Sequence, residues 1–369
     1  AILTGNVLIA YERMLMNKGE SASLALDRIS GKGTWKGSGQ ALFLENPLDV
    51  LSDDRIERPS IQTNDQEAAN FNHISMRANW NTAMQLDQTF NDGAGSLDLA
   101  GDVDIRSKKS NLERGKITGE DLRLEFDYLD NKDESQNSSP EIRRVIARNN
   151  AQIEHRLWEA ENTEGTPVVY YIGGEHIEFD TFTRETIAVG KGELVLRDPR
   201  TPKQGSHQSA LAGRGTTRFT WDKKLTTTKI TNALYRIAMN GDVEMVHQGL
   251  DEEIGALTAD SMIAFARDPN PEIVNNENVS KLSFRAMDLQ QINSAGSVYV
   301  ATATRKVDCD LFDYNLLTGI AELAALENRS VSIVTQGASY PVRATSITWN
   351  MDPSVDTISV HGLQGSSSN

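Results

Sequence analysis

Cysteine is almost absent from this chain of 369 residues, in which Cys309 is the only one. An intrachain disulfide is therefore excluded, and so are a CxxC redox pair and a zinc site built from cysteines. Six histidines are scattered along the chain, and none stands in an HExxH motif or a comparable spacing of metal ligands. We expect no bound metal and no cofactor.

Apolar and aromatic residues are also scarce. Hydrophobic residues make up 38% of the chain and aromatic residues 6%, and the mean hydropathy is -0.45. This is little apolar material for a large spherical core, although it suits narrow layers. No stretch approaches the roughly 18 consecutive apolar residues that span a bilayer as a helix.

Basic residues are fewer than acidic ones, 37 against 52, which gives a formal net charge of -15. An acidic surface repels phosphate backbones, and no run of Lys and Arg interleaved with aromatic residues forms a local exception. Nucleic acid is therefore excluded as an expected partner.

What the chain does contain is a repeated phrase of glycine, a small or acidic residue and valine. It occurs as "TGNVLI", "AGDVDI", "NGDVEM" and "AGSVYV", with its glycines at Gly5, Gly101, Gly241 and Gly296. We expect each glycine to open an alternating strand, which returns after a polar turn through a second strand ending in aspartate. The aspartates are Asp27 and Asp127 in the first two repeats, Asp260 and Asp268 in the third, and Asp310 and Asp313 in the fourth. Period-2 alternation with few helical periods predicts β-structure throughout.

Three polar segments interrupt this pattern. A polar insert covers about 51–93, an acidic loop covers 129–141, and a Pro- and Gly-containing segment covers 197–209. The last two segments are candidate module boundaries. Of these we expect 197–209 to be the linker between two modules, 1–196 and 210–365, followed by a disordered tail, 366–369.

The combination of a Gly-x-Val strand, a turn, an A-x-x-L-x-x-D strand and T-G-x-A resembles the OstA-like family, which includes LptA and the periplasmic domain of LptC. The residues that carry the resemblance are Gly5, Val7, Asp27, Gly101, Val103, Asp127, Gly241, Val243, Asp260, Gly296, Val298, Thr318, Gly319 and Ala321. The segment "RRVIARNNAQIE" is similar to that family's junction between successive strand pairs. The resemblance covers about two thirds of the chain, which is longer than LptA and less regular in its spacing.

This resemblance implies an all-β, elongated stack of antiparallel strands, described as a β-taco or β-jellyroll. It also implies a non-catalytic, lipid-conducting bridge of the lipopolysaccharide-transport type in the periplasm or cell envelope, with any signal or anchor outside this sequence. Lipopolysaccharide or another acyl lipid is the expected ligand. End-to-end strand pairing with itself or with other envelope proteins is the expected mode of assembly.

The residues give a physical basis for an apolar groove. In "GDVDI", Val103 and Ile105 share one face of the strand, whereas Asp102 and Asp104 share the other. The same alternation gives the groove-lining candidates Val7, Ile9, Val103, Ile105, Val243, Met245, Val298 and Val300. The alternative is that these rows pack against each other as a sealed core, since every half-buried sheet has such a row.

Motifs for chemistry are missing. The chain has no GxSxG elbow, no Walker motif and no GxGxxG sequence opening a helix. His176 shares a strand face with Glu178 and Asp180, but an exposed strand is the simpler interpretation. The acidic segments "LDNKDES" and "DCDLFDY" follow no calcium-binding order. We expect no enzyme. The alternatives are a structural β module that binds no lipid and, with less support, a β-helical polysaccharide-acting enzyme.

Overall fold

The structure is a computed structural model that describes residues 2–4, 8–11, 14–18, 22–27, 29–44, 74–88, 94–128, 140–158, 165–201, 210–211, 213–268 and 287–363. These residues form strands, turns and bends, and no helix occurs among them. The strand pairings described below are all antiparallel. The predicted all-β class is therefore confirmed.

The strands are numbered in chain order. The first eleven are β1 (Ile2–Thr4), β2 (Leu8–Tyr11), β3 (Met14–Lys18), β4 (Ser23–Asp27), β5 (Lys32–Lys36), β6 (Gly39–Leu44), β7 (Ile74–Trp80), β8 (Ala83–Asp87), β9 (Ala94–Ser110), β10 (Glu113–Tyr128) and β11 (Pro140–Leu157). The others are β12 (Val168–Asp180), β13 (Thr186–Asp198), β14 (Gly215–Trp221), β15 (Lys224–Lys229), β16 (Leu234–Gly249), β17 (Ile254–Arg267), β18 (Asp288–Ala301), β19 (Arg305–Asn315), β20 (Ile320–Ala324), β21 (Val331–Thr335), β22 (Val342–Asn350) and β23 (Thr357–Leu363).

The chain divides into two compact units, Ala1–Ile153 and Glu154–Asn369. This division differs from the predicted modules, which meet at 197–209. Strands on both sides of that segment belong to unit 2 and pair directly, because Asp198 of β13 lies opposite Gly215 of β14. The predicted polar insert, 51–93, includes strands β7 and β8 in its second half.

The repeated glycines lie inside long strands and do not open them. Gly101, Gly241 and Gly296 have φ angles of 85°, 84° and 81°. They interrupt β9, β16 and β18, and each of these strands shifts its pairing register at or next to the glycine. Such β-bulges bend a strand and increase its twist. The expectation that each glycine opens a strand is thus wrong at these three positions, and Gly5 lies outside the described residues.

The bends divide the sheet of unit 2 into two halves, which we call wall A and wall B. The strand β16 shows the arrangement: Gly215–Thr220 of β14 pair with 244–249, and β15 pairs with 235–240. Wall A contains β14, β21, the first part of β12, the second halves of β13, β16 and β18, and the first halves of β17, β19 and β22. Wall B contains β15, β20, β23 and the remaining halves of the bent strands. Most strands of unit 2 therefore contribute to both walls.

Unit 1 repeats this plan. The residues 96–100 of β9 pair with β8, and 104–107 pair with β7. Trp35 of β5 and Trp80 of β7 are both buried, and their rings meet edge to face with centroids 5.6 Å apart. A Cβ atom at Gly39 would lie 2.3 Å from the Trp80 ring and 3.0 Å from the Trp35 ring. Glycine at this position lets the two indoles pack between the halves of the sheet.

Candidate functional site

The inner face of wall A carries one apolar row that crosses eight strands. Its members are successive register partners: Ile172, Leu194, Phe219, Met245, Leu257, Val300, Val307 and Ile333. Met245, Leu257 and Val300 have no exposed surface. Alternation along each strand places one apolar side chain in this row, and antiparallel register aligns those side chains between strands.

Wall B carries a matching inner row. Its members are Ile177, Ala188, Leu225, Met239, Met262, Ser294, Phe312, Leu323 and Ile347. All are 4% exposed or less. Ser294 is the one polar member, and its Oγ is buried without a hydrogen-bond partner.

The structure places six of the eight predicted groove residues in the buried interior. Val103 and Ile105 belong to unit 1, whereas Val243, Met245, Val298 and Val300 lie together on the inner face of wall A. All six are 2% exposed or less. The side chains of the other two predicted residues, Val7 and Ile9, lie outside the described part of the chain. The interior is therefore filled by protein side chains where these six residues lie.

Cys309 and His247 are titratable side chains that are buried on the inner face of wall A. Cys309 is the register partner of Val298 and is 5% exposed, and burial raises the pKa of its thiol to about 12. His247 is 1% exposed, and its Nδ1 lies 2.8 Å from the Thr217 hydroxyl oxygen. Burial lowers the pKa of His247 to about 4, although the nearby Asp251 carboxylate opposes this shift. Both groups are uncharged at neutral pH, as an apolar interior requires.

A buried carboxylate marks the bend of β19. Asp310 is 2% exposed and accepts a hydrogen bond of 2.8 Å from the backbone N–H of Leu326. Its other oxygen forms an ion pair with the guanidinium of Arg329. This carboxylate therefore has charged and neutral donors in place, and its role is to fix the bend and the turn that follows β20.

A cluster of three side chains, which we call the latch, joins the two walls across the interior. Arg305 begins β19 in wall A, and its guanidinium carbon lies 5.4 Å from the ring centroid of Trp349 in wall B. The carboxylate of Asp356 pairs with Arg305 and also accepts a hydrogen bond of 3.0 Å from the Trp349 indole N–H. A planar guanidinium suits this stacked, bidentate arrangement.

The outer face of wall B holds a feature that the sequence analysis missed. A groove of about 520 Å³, which we call the outer groove, crosses β17, β18, β19, β20 and β22. Ten of its fourteen lining residues alternate along their strands with the inner row, so their side chains lie on the opposite face. The other four belong to the inner row itself and are Ser294, Phe312, Leu323 and Ile347. Period-2 alternation could have assigned each residue to its face. The concavity depends on twist and register, which no single strand reveals.

The described residues were also compared with the arrangements that hold metal ions. No group of three or more His, Cys, Asp or Glu side chains in this part of the chain is placed to hold a metal ion. His176 and Glu178 do meet, with Nε2 and Oε1 2.8 Å apart, on a half-exposed strand face. No helix in the described ranges has the length and apolar character needed to cross a membrane.

Comparison of the chain with protein-family models, with curated proteins and with solved structures gave no match.

Proposed function

We propose that this protein is a non-catalytic, lipid-binding β module of the cell envelope, which shields acyl chains between the two walls of its bent sheet. The observation that carries the proposal is the continuous apolar inner row of wall A, from Ile172 to Ile333. Its seven interstrand intervals of about 4.8 Å give a path of about 34 Å. Each methylene group that leaves water along such a path contributes about 0.8 kcal/mol.

The walls must part for lipid to enter, because the two inner rows are already buried by protein except at the half-buried Leu194. The row of bulges provides the hinge line, since Gly190, Gly241 and Gly296 all lie at bends. The latch of Arg305, Trp349 and Asp356 lies at the far side of the walls from these bends. Opening the latch breaks one ion pair, one stacking contact and the hydrogen bond of 2.9 Å from the Arg305 guanidinium to the backbone carbonyl oxygen of Asp356, but no pairing between strands.

The second candidate function is a structural β module that binds no lipid. The specific observation in its favour is the near-complete burial of the inner rows, in which Met245, Leu257 and Val300 have no exposed surface. An interior that is filled by side chains needs no ligand for its stability.

Assembly through sheet edges is compatible with either of these two functions. The last strand, β23, pairs with β22 alone within the described chain, and its remaining edge is available. Unpaired backbone groups on such an edge are a template for another strand. We propose that envelope partners, or a second copy of the chain, pair with this edge in the periplasm.

The test is native mass spectrometry of gently purified protein, before and after incubation with lipopolysaccharide or phospholipid, followed by extraction of bound lipid. Val243→Thr and Val300→Thr add a hydroxyl to the inner face of wall A while keeping a β-branched side chain. Val246→Thr is the matched control, because Val246 lies on the same strand as Val243 but is half-buried on its outer face.

Lipid bound to the unmodified protein, reduced in the two inner-face variants and unchanged in the control, supports the lipid-binding function. A clean protein mass with no uptake of either lipid rejects it and favours the structural module. Equal loss in all three variants also rejects it, because lipid that depends on the outer face is not held between the walls.

A further inference from the structure

The outer groove has a different character from the apolar interior. Two rows of register partners form its floor. One row runs through Ser261, Ala295, Leu311, Ala324 and Ser346. The other runs through Ile263, Asn293, Asp313, Glu322 and Thr348.

Small side chains produce the depression. Four of the five members of the first row are serine or alanine, which leave space above the sheet. Leu311 is the large member of the first row and is 42% exposed. Ile263, in the second row, is half-buried on β17. A ligand in the groove therefore meets an apolar contact next to the polar row.

The polar row presents hydrogen-bond acceptors. Asp313 accepts a bond of 2.8 Å from Gln291 and another of 2.8 Å from the Asn293 amide nitrogen. Asp313 is only half-buried, so a ligand that brings donors can still reach its carboxylate.

The two carboxylates of the row are not balanced by positive charge. Asp313 and Glu322 are direct cross-strand partners, a placement in which like charges repel. None of the described residues that line the groove is a lysine, an arginine or a histidine, and neither carboxylate has an ion pair within the described chain. A cation placed between the two carboxylates would remove this repulsion.

We propose that the outer groove binds an extended segment of a partner polypeptide in which a lysine or arginine alternates with an apolar residue. The basic side chain lies between Asp313 and Glu322, and the apolar side chain packs on Leu311 and Ile263. A guanidinium is the best match, because it supplies several donors in a plane to a row of acceptors. This inference does not depend on lipid binding, since the groove lies on the face opposite the inner row.

The test uses isothermal titration calorimetry with a blocked hexapeptide of alternating leucine and arginine. Asp313→Asn together with Glu322→Gln removes both charges at nearly constant shape, and affinity should fall about tenfold or more, since each 1.4 kcal/mol is a factor of ten. The matched control is Glu244→Gln together with Asp308→Asn, which removes two exposed carboxylates from wall A and changes the net charge equally.

The affinity of the control variant for the peptide should fall by less than about twofold, which is the effect expected from the change in net charge alone. Equal weakening in both double variants overturns the proposal, because the peptide is then attracted by net charge alone. Undiminished binding of a peptide with glutamine in place of arginine overturns it as well.

An NMR measurement on the unmodified protein locates the binding site without relying on variants that could misfold. With methyl-labelled isoleucine and leucine, the peptide should shift the resonances of Ile263 and Leu311 and leave those of the exposed Ile254 and Leu250 unchanged. Shifts at Ile254 and Leu250 in place of the groove residues would refute the assignment of the site.

Discussion

At the residue scale, Ser294 places an unpaired hydroxyl in an otherwise apolar buried row. It is 4% exposed, and its register partners Met262 and Phe312 offer no acceptor. Leaving a buried polar group unsatisfied costs about 1–3 kcal/mol. We therefore expect Ser294→Ala to raise the free energy of unfolding by about 1 kcal/mol, measured by urea denaturation. Ser359→Ala, at an exposed position of β23, is the control and should change stability by less than about 0.5 kcal/mol.

Lower stability of Ser294→Ala would mean that the hydroxyl has a partner, such as an ordered water, that the alanine variant loses. The inner row of wall B would then accommodate polar side chains better than its burial suggests.

His247 gives the fold a specific sensitivity to acid. Its pKa is about 4 in the folded state and 6.5 in the unfolded chain, so the unfolded state binds more protons between these values. Stability therefore falls as the pH drops from 6.5 to 4, by up to about 3 kcal/mol from this group. In His247→Gln this contribution to the pH dependence should disappear, as measured by urea denaturation at several pH values.

His176→Gln is the matched control for this prediction. His176 is half-buried beside Glu178 on a strand face of the same unit, and the His176→Gln variant retains the buried imidazole of His247 and therefore the contribution of that imidazole to the pH dependence. An unchanged slope in His247→Gln would show that the buried imidazole is not the group responsible.

At the element scale, the bulge glycines determine where strands bend. Gly101 has a φ of 85°, and a Cβ atom there would lie 2.8 Å from the backbone nitrogen of Thr82. A side chain is thus excluded by conformation and by space. We expect Gly101→Ala to lower the free energy of unfolding by about 2 kcal/mol or more.

Gly174→Ala is the control, because Gly174 also lies at a register shift but a Cβ atom there comes no closer than 3.6 Å to any other group. It should cost less than about 1 kcal/mol. Similar losses of stability in both variants would show that the left-handed conformation of Gly101 is not the cause of its loss.

The latch should control how often the walls of unit 2 part. Arg305→Met keeps an apolar stem over Trp349 but removes the ion pair with Asp356. Because Cys309 is the only cysteine of the chain and faces the interior, its modification by an uncharged maleimide reports opening. We expect faster modification in Arg305→Met than in Arg343→Met, which changes an exposed arginine of β22. Equal rates in the two variants would show that the latch does not limit opening.

The sequence predicted which face is apolar in the strands that carry the repeated glycine phrase, but not which residues meet. Alternation correctly placed Val103, Met245 and Val300 on the buried face. It could not bring Asp313 opposite Glu322, because that pairing depends on the turn 316–319 and its register. The repeated glycine was recognised as a signal, but its meaning as a bulge inside a strand needed the backbone φ angles.

At the scale of the whole molecule, charge is the simplest property to test. A net charge of -15 favours expanded states through self-repulsion, and salt screens this repulsion. We expect the thermal midpoint to rise when sodium chloride increases from about 20 mM to about 200 mM, by a few degrees, in scanning calorimetry. An equal osmolality of glycerol is the control for effects other than screening. A fall in the midpoint would mean that surface ion pairs outweigh the repulsion.

Domain organisation was the hardest level to predict from sequence. Composition pointed to 197–209 as a boundary because proline, glycine and polar residues are typical of linkers. The division instead falls at Ile153, within the strand β11, where no change in composition marks it. Strand pairing, which decides compactness, is not visible in the composition of a segment.

The bent strands of unit 2 also constrain how this part of the chain melts. Since β16, β17, β18 and β19 each run through both walls, their hydrogen bonds in one wall restrain the same strands in the other. We therefore expect the two halves to lose their order together. Any separation of the walls is therefore a rotation about the bulges with every ladder intact, and unit 2 should behave as a single cooperative element in hydrogen exchange.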